Sequence, residues 1–142
     1  MSTVLIALIA AVISQCIGFL WHGPLFGMIW ARAQDMAAMP EDGKMTPSMK
    51  RHFMWQIVIN FTANFVMAFV LFYFLSGIAV IPFGWLLILV GVVFIGFILP
   101  VQTIGTIWNG RSLKKQLITW SISTGFQIIN LFVWVVLFAW LG

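Results

Sequence analysis

Acid–base and metal chemistry in this chain would rest on two histidines and three acidic residues. His22 ends the first apolar stretch, His52 opens the second, and Asp35, Glu41 and Asp42 lie between them. A zinc site needs three or four ligands, so acids would have to join both histidines, whereas a lone histidine can bind a haem or chlorophyll metal axially. No triad-like set, phosphate loop, CxxC or HExxH motif accompanies them. We predict no enzyme, no cofactor and no metal, and keep His22 as the one candidate ligand; the simpler interpretation is a histidine at a water interface.

Uncharged amides form a second polar pattern, and they lie inside the apolar stretches. Gln56, Asn60 and Asn64 are spaced by four residues and therefore share one face of a helix. An unpaired amide in hydrocarbon costs several kcal/mol, so we expect these groups to face a bundle axis and bond across it. Two interpretations stay open: hydrogen bonds between helices, each worth about 0.6–2 kcal/mol, or a cavity that binds or passes a neutral or zwitterionic small molecule. The first is favoured because none of the amides is charged; the full set is Gln15, Gln56, Asn60, Asn64, Gln102, Gln127 and Asn130.

The composition decides which elements position these residues. Of the 142 residues, 63% are apolar and 7% are charged, against about 25% charged in soluble domains. A chain of this size cannot bury so much apolar surface away from water, so its solvent must be lipid. No charged residue occurs in 1–31, 52–110 or 116–142, and a membrane span needs about 20 residues. We predict an all-α integral membrane protein, one domain over 1–142, with a bundle of four spans at about 3–22, 53–75, 84–106 and 116–140.

The basic residues predict the orientation of those spans. All seven lie between spans one and two (Arg32, Lys44, Lys50 and Arg51) or between spans three and four (Arg111, Lys114 and Lys115). Four spans place both loops on one side, and the positive-inside rule makes that side cytoplasmic, with both termini outside. The net charge of +4 then reflects topology, so we expect anionic lipid head groups and no nucleic acid as partners. The first stretch lacks the basic start and the cleavage site of a signal peptide.

Glycine and proline residues predict where the helices end. Gly23-Pro24 is expected to interrupt span one, and a short amphipathic helix in the head-group plane is expected to follow it, with Phe26, Ile29, Trp30 and Ala33 on its apolar face. The cytoplasmic loop is expected at about 31–50. Thr46-Pro47 fits the start of the second helix, and Pro100 is expected to kink the third near Gln102. Asn109-Gly110 should end the third helix and Ser112 should cap the fourth.

Small and aromatic residues predict how the spans pack and where they meet the membrane surface. Ala10, Ser14 and Gly18 form a narrow face where another helix can approach, and Cys16 is read as a small apolar filler. Tryptophans are expected in belts, with Trp55 and Trp120 inside and Trp85, Trp134 and Trp140 outside. The predicted interface anchors are Trp21, Trp30, Arg32, Lys50, Arg51, Trp108, Arg111, Lys114 and Lys115.

Two similarities concern the segment 17–30, IGFLWHGPLFGMIW. A shift of 78 residues aligns 18–30 with 96–108 at five identities in thirteen positions, which is consistent with two parallel two-helix repeats or with chance. The segment also resembles the Gly-x-x-Trp-Tyr-x-Pro-x-x-Phe-Gly-x-x-Trp signature of the domain of unknown function 1761 family, with His22 in place of tyrosine. Pro100, the segment 108–111 and the last helix fit that family too. The resemblance implies a four-span bacterial inner-membrane protein of unassigned activity and supplies no catalytic residues.

Three functions remain open at this point. The first, which we favour, is a structural or interaction protein that forms an oligomer or joins a larger membrane complex. The second is a small transport or binding unit in which the amide set lines a site. The third and remotest is an enzyme that modifies lipid or quinone at the inner interface through His22.

Overall fold

The computed structural model describes residues 1–36, 46–78 and 82–142, and these ranges are helical with short connections. Among them, four helices are long and apolar enough to cross a bilayer: Thr3–Leu25, Pro47–Ser76, Phe83–Ile107 and Leu113–Leu141. The predicted class, an all-helical protein with four candidate spans, is confirmed. Predictions that involve Glu41, Asp42 and Lys44 lie outside the described residues.

Eight helical segments make up the described fold. Helix α1 (Thr3–Leu20) continues as a π-helical turn (Trp21–Leu25), and the short α2 (Gly27–Ala33) follows. Helix α3 spans Pro47–Ser76. The third span consists of α4 (Phe83–Val93), a π-helical turn (Phe94–Ile98) and α5 (Leu99–Ile107), and the fourth is α6 (Leu113–Leu141).

The helix starts follow the capping residues. Thr46 accepts a hydrogen bond from the Met49 N–H at 3.3 Å, and Pro47 is the first residue of α3, as predicted. Ser112 occupies the cap position of α6, but its side chain makes no capping hydrogen bond. Gly110 adopts a φ of +71°, a left-handed conformation that suits glycine in the turn after α5.

The first span leaves helical geometry at Phe26, two residues later than Gly23-Pro24 predicts. Pro24 lacks an N–H, and the chain passes it in a wider turn in which the Phe26 N–H donates to the Trp21 carbonyl at 2.9 Å. The short helix α2 follows as predicted, while its position in the head-group plane stays a prediction. Gly27 is needed here, because a Cβ would lie 2.6 Å from the His22 carbonyl oxygen.

Pro100 also has a π-helical turn beside it, but the irregularity lies before the proline and not near Gln102. The missing Pro100 N–H would have bonded to the Gly96 carbonyl, which lies within the turn Phe94–Ile98. The two π-helical turns do not coincide under the 78-residue shift, which places 21–25 on 99–103. The internal repeat stays a prediction.

The core lies in the half of the molecule near the chain termini. Small residues of α1 meet large residues of other helices there: Ala7 and Ala10 are fully buried, and Phe72 and Trp134 fill the space between α3 and α6. Leu86 of α4 joins the same cluster. The face Ala10–Ser14–Gly18 is covered as expected, with Phe126 carbons 3.7 Å from the Cβ position of Gly18.

The chain termini lie at one end of the molecule and the basic loops lie at the other. The Met1 amine lies 3.3 Å from the Leu141 carbonyl oxygen, so the first span starts at the same end of the molecule at which the last span finishes. Asp35, after α2, pairs with Arg111 and Lys115 at the start of α6, so both basic loops meet at the opposite end.

Helix α3 is largely uncovered near the end that holds the loops. Between residues 46 and 60, every side chain except Met49 and Ile57 is exposed. Burial of α3 begins one turn later, at Asn64 and Ala68. Over about half of its length the second span therefore has mostly exposed side chains, although Phe53 and Asn60 still contact Phe19 and Gln15 of α1.

Candidate functional site

Four of the seven predicted intramembrane amides bond in pairs across helix interfaces. Asn60 Nδ2 donates to Gln15 Oε1 at 3.0 Å and ties α3 to α1. Asn130 Nδ2 donates to Asn64 Oδ1 at 3.1 Å and ties α6 to α3, at a site where both residues are buried. Asn64 Nδ2 in turn donates to the Asn60 carbonyl at 2.8 Å. These four amides therefore form one connected set that links three of the spans.

A separate pair of contacts attaches the third span to α6. Gln102 Nε2 donates to Thr124 Oγ1 at 3.0 Å, and Trp120 Nε1 donates to Thr103 Oγ1 at 2.9 Å. The sequence marks Gln102 as an intramembrane amide, but its partner is a threonine hydroxyl and not another amide. Since the third span has few other buried residues, these bonds fix its register against α6.

Two further tryptophans, besides Trp120, bond between helices, which their sequence positions did not predict. Trp134, expected in the outer belt, is buried in the core, and its Nε1 donates to Ser14 Oγ at 2.8 Å. Trp21 Nε1 donates to the Ile122 carbonyl at 2.8 Å, and its ring covers Gly125, where a Cβ would lie 2.9 Å from Cζ2. The signal that could have revealed both is a small residue on the facing helix, Ser14 for one ring and Gly125 for the other.

Two buried carbonyl oxygens on α6 have no hydrogen-bond donor among the described residues. They are Gln127 Oε1 and Asn130 Oδ1, which lie three residues apart and therefore about one helical turn from each other. A buried acceptor without a donor carries a desolvation penalty of about 1–3 kcal/mol. These oxygens are the part of the amide set that interhelical bonding does not account for.

The two histidines occupy different settings. The His22 ring lies between the rings of Trp30 and Phe126, at centroid distances of 5.1 and 5.3 Å, and meets both edge to face. His52 Nε2 lies 3.1 Å from Gln56 Nε2 on the exposed side of α3. Within the described ranges no group of three or more His, Cys, Asp or Glu side chains could hold a metal ion. A ligand role for His22 stays a hypothesis.

The loop ends are joined by a charged cluster around Asp35. Arg111 Nε lies 3.4 Å from Asp35 Oδ2, and Lys115 donates to Asp35 Oδ1. Arg111 Nη2 also donates to the Gln34 carbonyl at 2.9 Å, and Gln34 Nε2 donates to Thr119 Oγ1 at 3.3 Å. The hydrogen bond from Lys115 is the main cause that lowers the pKa of Asp35. The first loop is thereby attached to the start of α6.

The remaining predicted anchors are distributed over the same end. Lys50 and Arg51 are exposed on the uncovered start of α3, Trp108 is exposed after α5, and Trp30 is half-buried against His22. Arg32 and Lys114 line an open groove between α2 and α6. Contact with lipid head groups stays a prediction for all of them.

The comparisons with known proteins bear on the whole chain. A family model described as a protein of unknown function, DUF1761, matches residues 5–139, which is nearly the full length. The chain belongs to the DUF1761 family. The resemblance in segment 17–30 is thereby confirmed. No curated protein and no solved structure matches this DUF1761 protein.

Proposed function

We propose that this DUF1761 protein is a structural or interaction protein of the bacterial inner membrane that forms a homo-oligomer through the outer face of α3. Its basic loops face the cytoplasm and its termini face outward, in accordance with the positive-inside rule. The observation that carries the proposal is the exposure of α3: it is long and apolar enough to span a membrane, yet over residues 46–60 every side chain except Met49 and Ile57 is exposed.

The outer face of α3 has the shape that helix association in lipid requires. A shallow groove of about 530 Å³ runs along it, lined by Val58, Ile59, Thr62, Ala63, Val66 and Met67. Small residues lie at its middle and larger ones toward both ends, so a second copy of the same face can place its larger side chains over the small ones. Association of spans depends on such close packing because lipid tails are as apolar as the side chains.

The polar contacts support the same interpretation. Most of the intramembrane amides are engaged in hydrogen bonds: Gln15 with Asn60, Asn64 with Asn130, and Gln102 with Thr124. Each such bond holds two spans together, which is the role of amides that serve packing. The exposed Gln56 and His52 bond to each other beside the groove and remain available to a second copy.

Filling the groove tests the proposal. Ala63→Leu adds bulk at the middle of the groove, and Ala139→Leu is the matched control because Ala139 is exposed elsewhere, near the end of α6. We expect Ala63→Leu to lower the mass of the protein–detergent particle, measured by light scattering, from oligomer to monomer, while Ala139→Leu leaves it unchanged. A monomeric wild-type protein, or an oligomer that survives Ala63→Leu, would contradict self-association through this face. Stable co-purification of a different membrane subunit that Ala63→Leu releases would replace the second copy with that subunit.

The two unpartnered oxygens favour a second candidate function, a small binding or transport unit. Gln127 Oε1 and Asn130 Oδ1 are buried acceptors that a hydroxyl or ammonium donor of a neutral or zwitterionic molecule would satisfy. The combined variant Asn64→Leu and Gln127→Leu separates the candidates. A fall in thermal stability or loss of the oligomer supports a packing role for the amides, whereas unchanged stability and assembly support a polar pathway.

A further inference from the structure

A groove at the end that holds the loops combines basic, hydroxyl and apolar side chains from two elements. It lies between α2 and the first turns of α6 and has a volume of about 430 Å³, which is within the range of about 300–1,000 Å³ typical of small-molecule sites. Its lining consists of Ile29, Arg32, Ala33, Ser112, Lys114, Lys115 and Ile118. We call it the basic groove.

The charges of the basic groove are only partly neutralised. Asp35, the one carboxylate that pairs with a cation here among the described residues, serves both Lys115 and Arg111. Arg32 and Lys114 take part in no ion pair within the ranges that the structure describes. Their two positive charges approach the groove from different helices and favour an anion between them.

The start of α6 adds hydrogen-bond donors at the same place. Ser112 precedes a helix of 29 residues, and its hydroxyl does not cap that helix. The first-turn amides of such a helix are unsatisfied by intrahelical bonds and carry part of the positive end of the helix dipole. The hydroxyl and these amides can donate to the oxygens of an anion held by Arg32 and Lys114.

Each wall of the groove also carries apolar residues beside the basic ones. Ile29 is half exposed on α2, three residues before Arg32; Ile118 lies on α6, four residues after Lys114; and Ala33 is buried. Leu25 and Met28, at and after the end of the first span, are more exposed still. A soluble anion would gain nothing from these side chains, whereas a lipid would place its phosphate beside the basic residues and an acyl chain along the apolar ones.

We propose that the basic groove binds one anionic phospholipid, with its phosphate between Arg32 and Lys114 beside Ser112 and an acyl chain along Ile29 and Ile118. This goes beyond general attraction of the loops to an anionic leaflet, because it places a single lipid in a defined site. It is also independent of self-association, since the groove on α3 shares no residue with it.

Native mass spectrometry of the intact protein in neutral detergent tests the site. The protein is equilibrated with equal amounts of phosphatidylglycerol and phosphatidylethanolamine, and the bound lipid is counted. We expect one retained phosphatidylglycerol in the wild type and about 30-fold weaker retention in the combined variant Arg32→Gln and Lys114→Gln, since each basic residue near an anionic lipid surface contributes about fivefold. The control, Lys50→Gln with Arg51→Gln, removes the same charge from the exposed start of α3 and should change retention by less than about twofold.

Three results would overturn the proposal. Equal losses in both double variants would show diffuse charge attraction, and equal retention of both lipids would show no preference for an anion. Release of phosphatidylglycerol by excess inorganic phosphate would identify a site for a free anion. Should the Arg32→Gln and Lys114→Gln variant not fold, phosphatidylglycerol with a photoreactive acyl chain is added to the unchanged protein; adducts on the peptides that carry Ile29 or Ile118 support the site, and adducts elsewhere contradict it.

Discussion

The indole N–H of Trp134 donates a 2.8 Å hydrogen bond to Ser14 Oγ, across the interface between α6 and α1, where both residues are fully buried. Ser14 Oγ itself donates to the Ala10 carbonyl at 2.7 Å. The small residue therefore allows the ring to enter and also satisfies its only polar atom. The bond joins the first span to the last and contributes to the core near the termini.

Removal of this acceptor should destabilise the fold. Ser14→Ala leaves the Trp134 N–H unpaired in the core, and we expect the free energy of unfolding to fall by about 0.6–2 kcal/mol, the range for hydrogen bonds between membrane helices. Equilibrium unfolding in mixed micelles measures the change. Ser121→Ala is the control, because Ser121 is exposed on α6, the helix that carries Trp134. Equal stability of the two variants would show that the bond contributes nothing.

The pair Asn64 and Asn130 should show coupling in a double-mutant cycle. Either single replacement by leucine leaves a buried amide without its partner, whereas the double replacement removes both polar groups. We expect the double variant to be less destabilised than the sum of the singles by about 0.6–1.7 kcal/mol. Strict additivity of the unfolding free energies would contradict a direct interaction between the two side chains.

Gly27 should not tolerate a side chain. Gly27→Ala places a Cβ 2.6 Å from the His22 carbonyl oxygen, and relief of that clash requires movement of the turn after the first span, at a cost of about 1–3 kcal/mol. Gly105→Ala is the matched control, since nothing lies within 4 Å of its Cβ position. Thermal unfolding should separate the two, and an unchanged melting temperature for Gly27→Ala would mean that the π-helical turn is not required.

The Asp35 cluster predicts a dependence of stability on pH. Because the pKa of Asp35 is lower in the folded protein, its contribution is fully present above the unfolded pKa of about 3.9 and is lost as the pH falls through the folded pKa. Asp35→Asn should therefore reduce stability at neutral pH, and the reduction should fade as the pH falls through the folded pKa of Asp35. The measurement is the difference in melting temperature between wild type and variant across this range, and a difference independent of pH would contradict the assignment.

His22→Tyr introduces the tyrosine of the signature that the segment 17–30 resembles. The edge contacts with Trp30 and Phe126 suit either ring, so we expect the unfolding free energy to change by less than about 1.5 kcal/mol. Metal analysis and the visible absorption spectrum of the purified protein should be the same before and after the change. Loss of a bound metal or pigment in the variant would establish His22 as a ligand.

The sequence predicts where the spans lie, but it does not predict which side chains form hydrogen bonds between them. The charge-free stretches and the cap Thr46-Pro47 are local signals, and the helices follow them closely. The partner of Asn64 is 66 residues away, and no spacing within one helix indicates it. For the same reason the sequence predicts Trp134 in a surface belt, because it lies near the end of a span. Its burial in the core depends instead on Ser14, a small hydrogen-bond acceptor on another helix.

The long sequence separation of these bonds has a consequence for how the protein is made. Ser14 precedes its partner Trp134 by 120 residues, and Asn64 precedes Asn130 by 66. At a translation rate of about 5–20 residues per second, the first two spans exist for several seconds before the helix that completes their bonding has left the ribosome. During biogenesis the nascent first half therefore exposes unsatisfied polar groups within the bilayer. Synthesis of α6 supplies the missing partners and ends that exposure.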